Sequence, residues 1–189
     1  SSMNDSLKLL ERHSTPAKAL VEPAPDSKQL RQILKVALGA PDHGRLHPYR
    51  FISIRGAGRQ RLSEVFGRAT QQRDPDVEPA YLHKQKEKPL RSPLIVVVVA
   101  SLIDSPKIPE IEQMLAAGAA AHNVLLAANA LGFGSIWLTG ANAYDDYVCA
   151  ELGVAENERI IGFIYLGTPT ITIPPRPIPE VSTHLTDWE

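Results

Sequence analysis

The sequence predicts an α+β or α/β sandwich in which helices cover a central sheet. Two apolar runs carry the first half of that expectation. Residues 94–100, LIVVVVA, and 160–166, IIGFIYL, are continuous rather than alternating, the mark of strands buried on both faces. The other half comes from residues 114–131, which are apolar or small at every position except His122, Asn123 and Asn129. A helix with that pattern has no polar face for water and belongs at the centre of the protein, buried all round. Its 18 residues are long enough to span a bilayer, but eight are alanine, three are polar and neither flank carries a basic cluster. The small side chains would let another backbone approach closely, including the same helix of a second subunit.

The remaining elements follow in chain order. Residues 4–13 read as a first helix on Leu7, Leu9 and Leu10, and prolines at 16, 23 and 25 keep 15–25 irregular. Asp26 and Gln29 have capping-box spacing. Leu30, Ile33, Leu34, Ala37 and Leu38 then repeat with helical period up to Gly39. A loop over 42–48 leads into a strand at 49–55, broken by Gly56 and Gly58. Leu62, Val65, Phe66 and Ala69 mark the next helix. The stretch 73–91 is charge-dense and proline-interrupted, a solvated helix with loops or a mobile cover over a site. After the central helix, Gly132 and Gly134 open a buried strand over 135–139, and a short helix at 144–152 closes on Gly153. From Thr168 onward the prolines at 169, 174, 175, 177 and 179 leave an extended tail that must lie on another surface. The whole reads as one domain, residues 3–189, with 168–189 as its tail.

Bulk properties narrow the function. A chain of 189 residues suits one domain with a full core. The net charge of −1 argues against nucleic acid or an anionic membrane as partner. A lone Cys149 and the lack of a signal-peptide pattern point to a reducing, cytoplasmic setting.

Few residues look equipped for chemistry. Gly132-Phe133-Gly134 lacks the third glycine of a dinucleotide loop and runs from helix to strand, the reverse of that turn. His43 and His47 have a metal-binding spacing only on a helix, which Gly44 and Pro48 prevent, so no metal is expected. With no evident nucleophile or acid pair, an enzyme would need a cofactor to supply reactivity. Arg12-His13-Ser14 is the better cluster. A planar cation, a second donor and a hydroxyl before a proline turn suit a phosphate. The proline-bounded loop of residues 40–51, APDHGRLHPYRF, is the other.

In this order the clusters resemble the nitroreductase family of FMN-dependent oxidoreductases. That family carries R-R-S near the start, A-P-S-x-x-N-x-Q-P-W-x-F, an alanine-rich helix running into G-x-G-x-x-W, and Y-L-G-x-P before a proline-rich end. Here the matching stretches are Arg12-His13-Ser14, residues 40–51, GFGSIWLTG from Gly132, and YLGTP from Tyr165. The likeness covers nearly the whole chain and is closest to the short, single-domain subgroup of NAD(P)H nitroreductases.

The resemblance implies a three-layer α+β fold with a central mixed sheet, a buried central helix and a C-terminal tail at a dimer interface. It implies a homodimer with FMN at that interface and NAD(P)H as reductant. Hydride would pass in ping-pong fashion to FMN and on to a nitroaromatic, quinone or similar acceptor. Arg12, His13 and Ser14 would hold the FMN phosphate and ribityl chain. Gly39 and His43 would lie at the ring, Trp137, Leu138 and Thr139 would line its other side through backbone, and Arg176 would reach the phosphate. Ala127, Ala128, Asn129, Ala130, Leu131 and Gly132 match a stretch assigned to the nicotinamide cofactor. No side chain is implied as catalytic, because the flavin carries the chemistry. Asp42, Arg45, His47 and Tyr49 depart from the family pattern, as does His13. The rival reading is a flavin- or nucleotide-binding dimer without turnover.

Overall fold

The protein was analysed as a computed structural model that describes residues 2–189. Helix α1 (Ser2–Leu7) passes into a 3-10 turn, Lys8–Glu11, which ends in extended backbone at Arg12. Strand β1 (Leu20–Val21) lies inside the proline-rich stretch, where an irregular path is expected. Its pairing is non-local: Leu20 and Val21 face Pro169 and Thr168. Helix α2 (Ser27–Ala37) opens with the expected capping box. Gln29 N donates to Asp26 Oδ1 at 2.8 Å and Asp26 N to Gln29 Oε1 at 3.0 Å.

Strand β2 (Tyr49–Arg55) has the expected bounds, but Gly58 falls inside helix α3 (Ala57–Arg73), with Gly56 alone at the break. Within the charge-dense stretch, α4 (Pro79–Glu87) and a 3-10 turn pack on α3, burying Gln85 and Pro89, and Ser63 Oγ donates to Lys86 O. Strand β3 (Leu94–Ser101) is buried from end to end apart from Ser101. Helix α5 (Glu110–Ala130) then leads to β4 (Gly134–Leu138). Helix α6 (Asp146–Leu152) ends on left-handed Gly153, and the long β5 (Glu158–Pro169) precedes the tail.

The strands run β2, β3, β5, β4 across the sheet, with β1 on the far end of β5. Each pairing among them is antiparallel, which corrects the mixed sheet expected above. Two features of the connections explain it. Helices α3 and α4 travel out and back, so β3 starts at the end where β2 stops. Helix α5 is a single crossover and does join parallel strands, β3 and β4, but β5 inserts between them.

Two cores flank this sheet and make three layers. Leu94, Val96, Val98 and Ala100 face α2 and α5. Ile95, Val97 and Val99 face α3 and α6. The alternation follows from the two-residue period of a strand.

Helix α5 is not buried all round in the single chain. Ala117, Ala120, Ala121 and Ala128 are fully covered, whereas Ile111 and Leu115 are each 64% exposed and His122 and Asn129 face solvent. These open positions form one stripe along the helix. The strand expected at 135–139 starts buried at Gly134 and Ser135 and opens to solvent at Leu138, with Thr139 beyond its end.

Candidate functional site

The chain segment after the 3-10 turn is pinned to β4 by Thr15 N, which donates to Ser135 O at 3.0 Å. That places Arg12, His13 and Ser14, all half-buried, beside the start of β4. His13 Nδ1–H donates to Glu11 O at 3.0 Å, which leaves its Nε2 free of backbone. Arg12 is unusual. Its Nη1 is buried with no hydrogen-bond partner. Burial, and after it the charge of Arg176, pushes the guanidinium below its ordinary value. Two cations side by side, with one buried donor unsatisfied, repel each other unless an anion joins them. Arg176, in the exposed tail, is thus brought to Arg12 across 164 residues of sequence.

The backbone at the end of β4 is the second part. Trp137 turns its indole onto β5, where Nε1 donates to Ile161 O at 3.1 Å. Gly162 makes that possible, because a Cβ there would stand 2.1 Å from Nε1. With its indole packed against the core, Trp137 offers a ligand mainly its backbone, whereas Leu138 and Thr139 lie exposed at the strand end.

Beside this turn sits a polar group that the sequence reading missed. Lys88 Nζ lies 3.8 Å from the position a Cβ would occupy on Gly140. Burial pushes its ammonium down, helped by Arg91, Lys84 and Arg73. Asn142 donates to Gln85 Oε1 at 3.4 Å, both residues are buried, and Asn142 Oδ1 and Arg91 Nε are left without partners. In sequence Lys88 and Arg91 are lost in a run of similar charges that stops just before the buried strand.

The third part is elsewhere. Gly39 lies exposed in the turn after α2, and the loop that follows runs through a 3-10 turn, His43–Arg45. His43 Nδ1 is 2.7 Å from Glu112 Oε1 on α5. This loop enters β2 at Tyr49, opposite Ala100, whereas Ser135 aligns through Leu166 with Leu94. Six residues of rise and three strand spacings separate those two corners, roughly 25 Å. A single chain therefore does not close Arg12 and His43 around one small molecule.

The stretch 127–132 fares differently. Ala127 and Ala128 are packed in the core, and only Asn129, Ala130 and Gly132 are open. They sit at the C-terminal end of α5, whose carbonyl dipoles disfavour a pyrophosphate.

The antiparallel sheet between helical layers, with a half-buried arginine whose Nη1 has no partner at its corner, defines an α+β protein. The chain belongs to the nitroreductase family: that family's model matches residues 9–168. It is therefore an enzyme of the oxidoreductase class. Escherichia coli K12 has a relative, named "Putative NAD(P)H nitroreductase YdjA", that is 39% identical over 167 residues, 88% of this chain and 90% of that protein. Among solved structures, a nitroreductase-like family protein from Bacillus cereus superposes with a TM-score of 0.83 at 21% identity, covering 100% and 97% of the two chains. An FMN-dependent nitroreductase from Clostridium difficile R20291 gives 0.64 at 23% identity, covering 89% and 90%. These structures share the fold.

Proposed function

We propose that this protein is a homodimeric FMN flavoprotein that oxidises NAD(P)H and reduces a small acceptor such as a nitroaromatic or a quinone. The observation that carries the reading is the buried, unpartnered Nη1 of Arg12 beside the charge of Arg176. Neither guanidinium has a carboxylate partner among the described residues, and a phosphate would supply one to both. Ser14 and His13 add a hydroxyl and an imidazole at the same place. The ring would lie along the backbone of residues 137–139, where Lys88 offers a cation next to Gly140. Gly39 and His43 would then come from the partner subunit, since their own chain holds them at the opposite corner. FMN, when bound, supplies the hydride chemistry, accepting from NAD(P)H and giving to the acceptor in alternation. The chain's residues bind the phosphate, orient the ring and put positive charge where negative charge grows.

The exposed apolar surface supports a dimer. Leu7, Leu9 and Leu10 are each more than half exposed, α5 shows its Ile111–Leu115 stripe, and the tail presents Val181, Leu185 and Trp188 to solvent. Exposed apolar side chains of this size on three elements suit surfaces that another copy would cover. No helix among the described residues is long and apolar enough to cross a membrane. We place the protein, a single domain over 3–189, in the cytoplasm.

The test is spectroscopic. Purified protein should carry flavin absorbance, lose it on anaerobic NAD(P)H addition, and regain it with a quinone. Colourless protein that takes up no FMN refutes the reading, and bound flavin that NAD(P)H does not bleach reduces it to a flavin binder.

A further inference from the structure

We propose that Glu112 is a positioning residue for His43, and that the pair delivers the proton to the oxygen of the acceptor. The inference rests on the flavoprotein reading above for what is reduced. The dyad itself stands on the geometry of one loop against one helix.

Residues 43–47 form an unusual turn. Gly44, Arg45 and His47 have φ of 73°, 52° and 50°, a left-handed backbone that costs any residue but glycine. Two contacts hold it. His47 N donates to Asp42 Oδ2 at 2.7 Å. Gly44 is pressed so closely on Ile108, just ahead of α5, that a Cβ would stand 2.4 Å from its Cδ1. The strained turn thereby carries His43 onto the first turn of α5, with Nδ1 2.7 Å from Glu112 Oε1. A carboxylate suits that place, where the helix dipole favours negative charge.

Because a carboxylate only accepts, Nδ1 must carry the hydrogen and Nε2 is left as the outward atom. The ring is 56% exposed and Glu112 42%, so the pair contributes little as a surface ion pair. Stability alone is a weak reason for two left-handed non-glycine residues. The other charged groups on the elements meeting here are Asp42, Arg45 and His47 in the loop, and Lys107 and Glu110 around the start of α5.

The substrate class follows from the chemistry of a held imidazole. Hydride reaching a quinone or nitro group brings two electrons and breaks a π bond, leaving charge on oxygen. The imidazolium Nε2–H gives that oxygen its proton, the O–H bond forms, and neutral His43 keeps Nδ1–H on Glu112 until water reprotonates Nε2. The electrons come from NAD(P)H. Glu112 touches none of the reacting atoms and acts through His43.

Two readouts test this. Nitrogen-15 NMR of His43 should show the Nδ1–H tautomer in the wild-type protein, its loss in Glu112→Ala, and its return in Glu112→Asp. In stopped flow with a benzoquinone, Glu112→Gln should slow reoxidation about ten-fold or more. Reduction by NAD(P)H and flavin content should stay at wild-type levels. An unchanged tautomer in Glu112→Ala, or wild-type reoxidation in Glu112→Gln, overturns the inference. If FMN does not bind, the earlier reading falls and proton delivery with it, while the tautomer shows whether Glu112 holds His43.

Discussion

Gly162→Ala should unseat Trp137 and with it the backbone proposed to carry the flavin ring. The new methyl would stand 2.1 Å from the indole Nε1 and 2.4 Å from Cδ1, well inside contact distance. Overpacking of this kind costs about 1–3 kcal/mol. Losing the 3.1 Å hydrogen bond to Ile161 O adds about 1 kcal/mol. Together they predict about 2–4 kcal/mol, or a melting temperature lower by roughly 5–15 °C for a chain of this size. The chain has two tryptophans, and Trp188 is 97% exposed. In a Trp188→Phe background, emission reports Trp137 alone, so the substitution should shift it to the red. Flavin affinity should fall with it. Unchanged emission and an unchanged urea midpoint would show that Gly162 is not what seats the indole.

Four further outcomes can be checked. Arg12→Ala should weaken FMN binding roughly ten- to a hundred-fold, the loss of one charge-assisted bond, with sedimentation still that of a dimer. Arg12→Ala and His43→Ala chains, each impaired alone, should on mixing recover about a quarter of wild-type sites if each site draws on both chains; no recovery would mean that Arg12 and His43 of a site do not come from different chains. Because Thr170 N donates to Ala19 O and β5 runs to Pro169, the tail is best cut after Ile171, and that truncation should shift sedimentation toward monomer and release flavin. Glu158 is held at about 2 by Arg50, Ser101 and the Ala155 amide. Its folded value lies below the unfolded one, so its contribution is present above about pH 4.5 and is lost as pH falls toward 2. Arg50 is 41% open, which trims the effect to roughly 1–2 kcal/mol. Glu158→Gln should remove that part of the acid transition in a pH-denaturation series.

Local signals in the sequence were enough for local structure. The capping box at Asp26 and Gln29, the bounds of β2 and the left-handed stop at Gly153 each depend on residues within a few positions of one another. Strand β1 was not legible, because two residues between prolines become a strand only by meeting Thr168 and Pro169. The sheet's direction was misread for a related reason: nothing near α5 signals that β5 will slip between the strands it connects. At the site, Arg12 was visible as a type of residue in a type of place, but its missing partner was not. Lys88 has the same charge as its neighbours in sequence, and only burial against Gly140 separates it. The contact of His43 with Glu112 spans 69 positions and has no sequence signature at all.

The placement of these groups ties three properties together. In the chain alone, Arg12 is a half-buried cation with an unpartnered Nη1 near the charge of Arg176, α5 exposes isoleucine and leucine, and the tail leaves Val181, Leu185 and Trp188 open. Each costs free energy in water, and the sheet holds the two halves of the site at opposite corners of one chain. In the proposed dimer a second copy would cover the apolar stripe and bring its own His43 loop toward the first chain's Arg12. A bound phosphate would then satisfy the buried donor. Any ligand that binds only the assembled form stabilises it in proportion to the logarithm of its concentration over its dissociation constant. Flavin binding and resistance to unfolding should therefore rise and fall together in this protein, with the unpaired guanidinium of Arg12 as the link between them.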